Sequence, residues 1–413
     1  MRNVYRFLLM AAAAMALNLA LTAAETASAR QLVISEFRYR GPNGANDEFI
    51  EIYNNSGADH TVTHNPAVVG ATGYGVVASD GTLRCRIPDG TVIPNRGHYL
   101  CVNSIGYSLA SYPAGNGTTA TGDATYTTNI PENVGIAIFN ADLAAGFTLA
   151  NRMDAVGTTA EANTLYKEGT GLPTLVGFSI DYAWVRDFCG KGGSITTFGP
   201  CPTDGFPKDT NNNAADFYFV DTNGTSAGGG QRLGAPGPEN LSSPINRSQS
   251  FALALLDPCV GPASPPNRVR DFTSDPANNS TFGTLDIRRT VVNNTGGNVT
   301  RLRFRVADLT TFPAPSGIAD LRPRTSTAVV VTVDRAPCGS GTSNVTVQGT
   351  TLEQPPAQPN GGGFNSSMSA GTITTVTPLG VTPGVNNTID VRFLLGLQQT
   401  GSFKFYINVE ALP

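Results

Sequence analysis

Histidine is scarce in this chain of 413 residues, which has three, and none lies beyond residue 98. A Ser-His-Asp or Cys-His catalytic site needs a histidine as its base, so the second half of the chain cannot hold one. The sequence also has no G-x-S-x-G, H-E-x-x-H or P-loop pattern. These absences exclude several common enzyme classes, and we predict that the protein is not an enzyme.

Charge is also sparse, at 14% of residues, and long runs of helix-forming residues are missing. Glycine (46) and proline (28) are abundant instead, which is typical of a chain with many turns. Between the turns, apolar and polar residues alternate with a period of two, as half-buried strands require. The predicted strands include residues 33–39, 49–53, 74–78, 98–103, 134–139, 182–186, 217–220, 251–256, 301–306, 328–333, 389–393 and 403–409. Alternation places Val33, Phe37 and Tyr39 on one face, and the β-branched run at residues 328–333 is typical of a strand buried on both sides. The strand at residues 251–256 is compatible with either half of the chain.

A long apolar run occurs at the N-terminus. Two arginines precede an apolar stretch, residues 7–21, and Ala27-Ser28-Ala29 follows as a small-x-small cleavage site. This pattern predicts a secretory signal peptide that is cut near Ala29. The alternative is a retained membrane anchor, but an anchor needs about 20 unbroken apolar residues and Asn18 interrupts this run. We expect a mature chain without a transmembrane segment, secreted to the extracellular space or the periplasm.

The six cysteines form an even set, and an exported chain can oxidise them to disulfides. Their order favours pairing neighbours, Cys85 with Cys101, Cys189 with Cys201 and Cys259 with Cys338. Six cysteines allow 15 connectivities, so other pairings stay open, as does the presence of buried free thiols.

The chain divides at a turn-rich stretch that begins at residue 234. We predict a signal peptide (1–29), a first β-sandwich (30–240), a linker with a short strand (241–266) and a second β-sandwich (267–413). Residues 30–261 carry a net charge of −8, and residues 262–413 carry +3. Either the two halves attract each other, or the difference is ordinary surface variation.

The first half contains a series of short segments in a fixed order: ISEF (34–37), DEFIEIYN (47–54), DAVG (154–157), WVR (184–186), DTNNNAADF (209–217) and GAPGPEN (234–240). In this order they resemble the lamin-tail domain, which occurs in nuclear lamins and in many secreted bacterial proteins. The resemblance implies an immunoglobulin-like sandwich and an adhesive or targeting module without catalytic residues. Where that family places Ser-Gly-Trp, this chain has Gly73-Tyr74-Gly75, so we expect Tyr74 in the core. The second half resembles a generic immunoglobulin-like or fibronectin-like sandwich.

Four oxygen-bearing side chains form the candidate metal site: Asp209, Asn211, Asn213 and Asp216. The first three alternate as at the start of an EF-hand loop, which makes calcium the candidate cofactor. The pattern then fails, because an alanine replaces the glycine of the sharp turn and a valine replaces the bidentate glutamate. An Asp/Asn-rich turn held by its own side chains explains the same residues.

A candidate basic face consists of Arg301, Arg303 and Arg305, which share one side of a predicted strand. Such a stripe suits an anionic polysaccharide or a phosphate, and the alternative is an ordinary solvated face that prevents aggregation at the sheet edge. Outward aromatic side chains that would stack on bases are nearly absent, which argues against nucleic acid as the partner.

Acidic residues near the first strand pair are a further candidate, since glycoside hydrolysis uses two carboxylates. We expect Glu36, Asp47, Glu48 and Glu51 to be solvated strand and turn residues, and His60 and His64 to be solvated loop residues. The sequence thus predicts a secreted, non-catalytic lamin-tail-domain protein that binds, adheres or builds structure outside the cell. Its partner would be an unidentified protein or polysaccharide. The alternative is an accessory or catalytic component acting on extracellular polysaccharide, nucleic acid or phosphoester.

Overall fold

The computed structural model describes residues 31–115, 117–189, 206–335, 337–353 and 360–412. In it 43% of residues lie in strands and 5% in helices, and the sheets do not close into barrels. The predicted all-β sandwich fold is therefore confirmed. Within the described ranges, no helix is both long enough and apolar enough to span a bilayer. The predicted signal peptide (1–29) and Cys201 lie outside the described residues.

The strands, in chain order, are β1 (Leu32–Arg38), β2 (Phe49–Asn54), β3 (His60–Thr61), β4 (Gly73–Ala78), β5 (Leu83–Pro88), β6 (Val92–Ile93), β7 (His98–Asn103), β8 (Pro113–Gly115), β9 (Thr118–Thr119), β10 (Ala124–Tyr126), β11 (Ile136–Phe139), β12 (Arg152–Val156), β13 (Tyr182–Arg186), β14 (Phe217–Asp221), β15 (Ile245–Asn246), β16 (Phe251–Leu255), β17 (Arg268–Asp271), β18 (Thr284–Asn293), β19 (Arg301–Leu309), β20 (Asp320–Arg324), β21 (Val329–Asp334), β22 (Thr342–Val347), β23 (Thr351–Glu353), β24 (Ser367–Ser369), β25 (Thr388–Gln399) and β26 (Phe405–Leu412). The helices are short: α1 (Asn213–Asp216) and single 3-10 turns at Ala144–Gly146, Leu149–Asn151, Thr164–Tyr166, Ser248–Ser250 and Pro276–Asn278.

Four main sheets carry the architecture. Sheet 1 has the order β12-β11-β4-β5, and sheet 2 has the order β10-β7-β2-β1-β13-β14. Sheet 3 has the order β15-β26-β19-β24-β23, and sheet 4 has the order β16-β18-β25-β20, with β17 also pairing with β18. Sheets 1 and 2 form the first sandwich, and sheets 3 and 4 form the second.

The first core lies between sheets 1 and 2 and is rich in aromatic side chains. The Trp184 side chain is 1% exposed, and its ring meets the Phe219 ring edge to face at 5.3 Å. Tyr74 lies in the same apolar cluster, as expected from the sequence. Cys85 of β5 and Cys101 of β7 form a disulfide, so this predicted pair is confirmed and links the two sheets of the sandwich.

A β-bulge changes the side-chain alternation of the first strand. The pairing between β1 and β2 shifts register between Ile34 and Glu36. Leu32 and Ile34 therefore share the inner core with Phe37, whereas the uninterrupted alternation predicted from the sequence placed Val33 with Phe37. A bulge adds one residue to one strand and so reverses the face of every residue before it.

Sheet 2 is covered on both of its faces. Every residue of β1, β2, β7 and β13 is buried, although a sandwich sheet normally exposes one face. Phe49 and Leu100 on its second face belong to one apolar cluster with residues of the second sandwich. The side-chain amide of Asn365, just before β24 of sheet 3, donates a hydrogen bond to Glu36 of β1 at 2.9 Å. The two sandwiches therefore pack face to face, in the layer order 1-2-3-4.

The predicted linker contributes structure to the second sandwich. Within it, β15 pairs with β26 and β16 pairs with β18. The end of the predicted first sandwich, residues 233–240, is buried as well. The strand at residues 251–255, whose membership the sequence left open, thus belongs to sheet 4. The predicted disulfide between Cys259 and Cys338 is confirmed and joins the segment after β16 to the β21–β22 ribbon.

The prediction of a strand buried on both sides at residues 328–333 is wrong. These residues form one strand of a two-stranded ribbon, in which Val330 is 67% exposed. Only the face that carries Val333 and Val347 packs, against Leu256. A β-branched run fits a ribbon as well as a central strand, because strand propensity does not report burial.

Candidate functional site

The most unusual chemistry of the molecule lies between sheets 2 and 3, where charged side chains are buried together. We call this set the inter-sandwich cluster. Its members are at most 6% exposed: Glu36, Glu51, His98, Glu239, Arg303, Arg305, Glu353 and Glu410. Burying charges is costly unless they are paired, so each partner matters.

Strand alternation places these residues on the facing surfaces. On sheet 2, Glu36 and Glu51 lie directly opposite each other on β1 and β2. On sheet 3, Arg303 lies opposite Glu410 on β19 and β26. Glu239 comes from the segment that connects the sandwiches and is packed between the two sheets.

The two arginines hold the carboxylates together. Arg303 Nε lies 2.6 Å from Glu410 Oε2, and its guanidinium also contacts Glu239. Arg305 Nη2 lies 3.0 Å from Glu239 Oε2, and its Nε lies 3.3 Å from Glu410 Oε1. Because Glu239 belongs to the first half and Glu410 to the second, these ion pairs join the halves within one chain, in agreement with their opposite net charges.

The predicted exposed basic face is therefore wrong. Arg303 is fully buried and Arg305 is 2% exposed, so neither can meet a polysaccharide in solvent. Arg301 is half-buried, and a Cβ at Gly117 would lie 2.7 Å from its Nη1. The three arginines do share one face of β19, but sheet 2 covers that face, which strand periodicity alone cannot reveal.

The expectation that the acidic residues near the first strand pair are solvated is also wrong. Glu36 accepts hydrogen bonds from the Gly237 N–H at 2.8 Å and the Asn365 side-chain amide at 2.9 Å. Glu51 accepts one from the Glu239 N–H at 2.6 Å. Burial raises the pKa of Glu36 to about 7, and burial together with the neighbouring Glu36 raises the pKa of Glu51 well above its usual value.

The other two acidic residues of that group, Asp47 and Glu48, are fully buried as well. Asp47 forms an ion pair with Arg38. Glu48 accepts hydrogen bonds from the Asn103 amide at 2.9 Å and the Ile130 N–H at 2.7 Å. Burial raises the pKa of Glu48 to about 7.

His98 is the titratable base of the inter-sandwich cluster. Its Nε2 lies 3.3 Å from Glu239 Oε2 and 3.8 Å from Glu51 Oε1. Burial lowers its pKa well below the usual value, and Arg305 and Arg303 lower it further. The imidazole is therefore neutral at neutral pH. His60 and His64 lie elsewhere, where His60 contacts the Tyr74 hydroxyl and His64 pairs with Asp89.

Among the described residues, Glu51, His98 and Glu239 offer three ligand atoms within 4.8 Å of one another. A neutral imidazole and carboxylates are ligands that zinc accepts. The Glu239 carboxylate, however, already contacts both Arg303 and Arg305. A bound cation would lie beside two fixed positive charges, so this set fits a metal poorly.

A cavity of about 30 Å³ lies beside Glu36, Glu51 and His98. Its volume is enough for a water molecule. Clefts that bind small molecules are about 300–1,000 Å³, so a sugar ring or a nucleotide does not fit without separating the sheets. The cluster in this form is a packed junction between sandwiches and not an open substrate site.

The residues of the predicted calcium site surround a different cation. Arg186 is buried, its Nη2 lies 2.6 Å from Asp154 Oδ2, and its Nη1 lies 3.7 Å from Asp209 and 3.9 Å from Asp216. We call these four residues the Arg186 cluster. Here a guanidinium provides the positive charge that the sequence pattern assigned to an ion.

The remaining oxygens of the predicted calcium site are already engaged in hydrogen bonds or face solvent. Asn213 Oδ1 accepts hydrogen bonds from the Gly157 and Glu168 N–H groups at 3.1 and 3.0 Å. Asp216 accepts one from Thr210 N at 2.8 Å, and Asn211 is exposed. The alternative of a turn held by its own side chains accounts for these contacts, while calcium binding stays a prediction.

Sequence reasoning did not find His98, Glu239 or Glu410. The alternation of β26 places Asn408 and Glu410 on the face opposite the core, which marks that face as polar. A polar face predicts solvent unless the position of the neighbouring sandwich is known. Searches with protein-family models, among curated proteins and among solved structures gave no match to this chain.

Proposed function

We propose that this chain is an exported, non-catalytic lamin-tail-type protein that acts outside the cell as a binding, adhesion or structural module. The observation that carries the proposal is the face-to-face junction, in which charged groups of both sandwiches are paired and buried. Such a junction makes one stiff unit from two sandwiches. Recognition is then left to the outer surfaces and loops.

Contacts between the lamin-tail-like segments support the family proposal. Asp154 Oδ2 accepts hydrogen bonds from the Ile34 N–H and from Arg186 Nη2, both at 2.6 Å. Arg186 Nε also donates to the Ile34 carbonyl oxygen at 2.7 Å. Segments 34–37, 154–157 and 184–186, which are far apart in sequence, thus meet around one buried guanidinium. The disulfides Cys85–Cys101 and Cys259–Cys338, both among the described residues, fit an oxidising compartment.

The export part of the proposal is tested by expressing the full chain with its own N-terminus and a C-terminal tag. We expect a mature protein that starts near Arg30 in the periplasmic or culture fraction, as measured by intact mass. A matched variant with Leu8→Arg and Leu9→Arg, which breaks the apolar stretch, should stay inside the cell uncut. Wild-type protein that stays in the cytoplasm with residues 1–29 attached would contradict export.

The binding part is tested with the purified mature chain on immobilised polysaccharides and envelope proteins. We expect saturable binding that persists in Glu51→Gln, because the inter-sandwich cluster is internal. The absence of saturable binding to every surface would contradict a binding role and leave the structural one. The structural role is tested by measuring self-assembly of the chain with light scattering. A chain that stays monomeric and binds none of the surfaces would overturn both the binding role and the structural role.

A catalytic role is the second candidate, because raised pKa values on neighbouring buried carboxylates beside a neutral histidine are typical of active sites. It requires the sandwiches to separate, since the cavity is too small for a substrate. Turnover of a polysaccharide, nucleic acid or phosphoester that is abolished in both Glu51→Gln and His98→Gln, with unchanged melting temperatures, would establish it. Equal turnover in the wild type and both variants would exclude the cluster as an active site.

A further inference from the structure

The second sandwich has a feature that the inter-sandwich cluster does not explain, two arginines on the core-facing side of sheet 4. On β18, Leu285, Ile287 and Val291 face the core, and strand alternation puts Arg289 on the same face. Arg268 on β17 lies directly opposite Ile287, so it also faces inward. Inward positions of a sandwich are normally apolar, so these two need an explanation.

A cleft opens beside these two arginines. Its volume is about 300 Å³, and it lies between sheets 3 and 4 along β26. Apolar side chains line it, among them Leu253, Ile287, Phe393, Phe403, Phe405 and Ile407. The cleft thus has the size of a small-molecule site and combines an apolar floor with a few polar groups, as such sites do.

The two guanidinium groups have no acidic partner in the part of the chain that the structure describes. Among those residues, no carboxylate oxygen lies within 4 Å of Arg268 or Arg289. Arg289 Nη1 donates to the carbonyl oxygens of Asn267 and Arg288, at 3.2 and 2.7 Å. Burial lowers the pKa of Arg289, and the neighbouring charge of Arg268 lowers it further.

The opposite face of the same sheet behaves differently. There Arg288 and Arg392 share the carboxylate of Asp286, at 2.8 and 2.9 Å. Arginines of the outer face are therefore neutralised by the fold, whereas Arg268 and Arg289 repel each other at the mouth of an apolar cleft. A bound anion would remove that repulsion.

We propose that this cleft binds a monomeric amphiphilic anion, with a carboxylate or sulfate head between Arg268 and Arg289 and an apolar tail on the half-buried Phe403, Phe405 and Ile407. Arginine suits this head group, because its fork of N–H donors matches a planar or tetrahedral oxyanion. The tail displaces water from a surface that the fold leaves uncovered. The proposal stands on the cleft itself and goes beyond the binding role proposed above.

The first test uses the wild-type mature chain and ligands that differ in one property. In isothermal titration below the critical micelle concentration, decanoate and decyl sulfate should bind with one site per chain. Decanol and decyltrimethylammonium should bind at least tenfold more weakly because they lack the anion, and butanoate because it lacks the tail. Equal affinity for decanol or for the cation would overturn the proposal, as would no binding of either anion.

The second test uses variants. Arg268→Gln with Arg289→Gln should weaken decanoate binding at least tenfold and abolish its preference over decanol. The matched control, Arg40→Gln with Arg86→Gln, removes the same charge from the first sandwich and should leave the affinity unchanged. Unchanged affinity in the cleft variant, or an equal loss in the control, would overturn the proposal, and the wild-type ligand series decides it if the cleft variant does not fold.

A membrane is the other source of anionic head groups, and vesicles of phosphatidylglycerol distinguish it from a free ligand. We expect no cosedimentation with these vesicles under conditions where decanoate binds. Cosedimentation without binding of monomeric decanoate would overturn the proposal in favour of a membrane surface. None of these outcomes bears on export or on the junction, so failure here is distinguishable from failure of the proposed function.

Discussion

The Arg186 cluster and the inter-sandwich cluster both bury charged side chains by pairing them, the first within one sandwich and the second between two. Arg186 and its aspartates all belong to the first sandwich, so that cluster forms when one sandwich folds. The inter-sandwich cluster combines residues from position 36 to position 410, so it is complete only when the two sandwiches meet. Buried ion pairs therefore stabilise the interior of one sandwich in the first cluster and the contact between two sandwiches in the second.

Both clusters contain more carboxylates than guanidinium groups. Five glutamates surround two arginines at the junction, and three aspartates surround Arg186. Each arginine therefore faces more than one carboxylate, and burial favours the protonated form of two of them, Glu36 and Glu51. Removing an arginine should cost more than removing any one carboxylate, since the excess negative charge is then left buried.

The largest effect is expected at Arg186. Replacing it in Arg186→Gln leaves its aspartates without a counter-charge, and we expect a loss of about 3–5 kcal/mol in the free energy of unfolding by urea. The control is Arg40→Gln, whose ion pair with Glu132 is partly exposed, with a cost of at most about 1 kcal/mol. Equal costs for the two variants would contradict a central role for Arg186.

For Arg303→Gln we expect a loss of about 2–5 kcal/mol in the free energy of unfolding, together with a different pattern of thermal transitions. Because this arginine joins the halves, calorimetry should show two separated transitions where the wild type shows one. Arg186→Gln leaves the contact between the sandwiches intact, so it should instead shift a single transition to lower temperature. A single transition in Arg303→Gln would contradict the assignment of Arg303 to the contact between the sandwiches. The control is Glu353→Gln, whose carboxylate lies 3.8 Å from Arg303 and whose loss should have a smaller effect.

The third prediction concerns pH. The pKa of Glu36 is raised from 4.5 to about 7 in the folded protein, so folding favours its protonated form. Its contribution to stability is fully present below pH 4.5 and is lost as the pH rises through about 7, by on the order of 3 kcal/mol. The pKa of Asp154 is raised from 3.8 to about 6, so its contribution to stability is lost as the pH rises through about 6, one unit below the value for Glu36.

The measurement is urea unfolding between pH 4 and pH 8. Glu36→Gln should reduce the decline between about pH 6 and pH 7 and leave the part that comes from Glu48, whose pKa is also raised to about 7. Asp154→Asn should remove part of the decline below about pH 6. Glu132→Gln, a partly exposed acid, should leave the slope unchanged. A slope between pH 6 and pH 7 that is the same in the wild type and in Glu36→Gln would show that another group titrates there.

The smallest expected effect is that of calcium on the melting temperature, which tests whether Arg186 or a bound ion neutralises the aspartates. Millimolar calcium should leave the melting temperature of the wild type unchanged within about 1 °C, because Arg186 already neutralises Asp209 and Asp216. Arg186→Gln should regain about 1.4 kcal/mol of unfolding free energy at calcium concentrations tenfold above its Kd. Stabilisation of the wild type as large as that of the variant would restore the calcium site predicted from the sequence.

The sequence was sufficient for most strands of the first core, although not for β5 and β12, and for two disulfides. Alternation and turn residues located strands such as β2, β7 and β25, because a period of two is a local property. The long strand β18, residues 284–293, was not recognised. It carries Arg288 and Arg289 in succession, so its polar residues break the expected alternation.

The site could not be predicted because its environment is not local. Alternation correctly placed Arg303 and Arg305 on one face of their strand, yet what covers that face depends on how two sandwiches pack. The same holds for Glu36 and Glu51, which face sheet 3 and not solvent. The opposite net charges of the halves were the one sequence signal that pointed to this contact.

The buried connecting segment, residues 233–240, also constrains how the protein is made. The N-terminal sandwich leaves the ribosome first, and until the remainder is synthesised its carboxylate-bearing surface is hydrated and its apolar patch is open to other chains. Nascent molecules at that stage are candidates for chaperone capture. A truncated chain that stops after residue 240 would leave this face of sheet 2 uncovered permanently, so we expect it to be poorly soluble and not an independently stable domain.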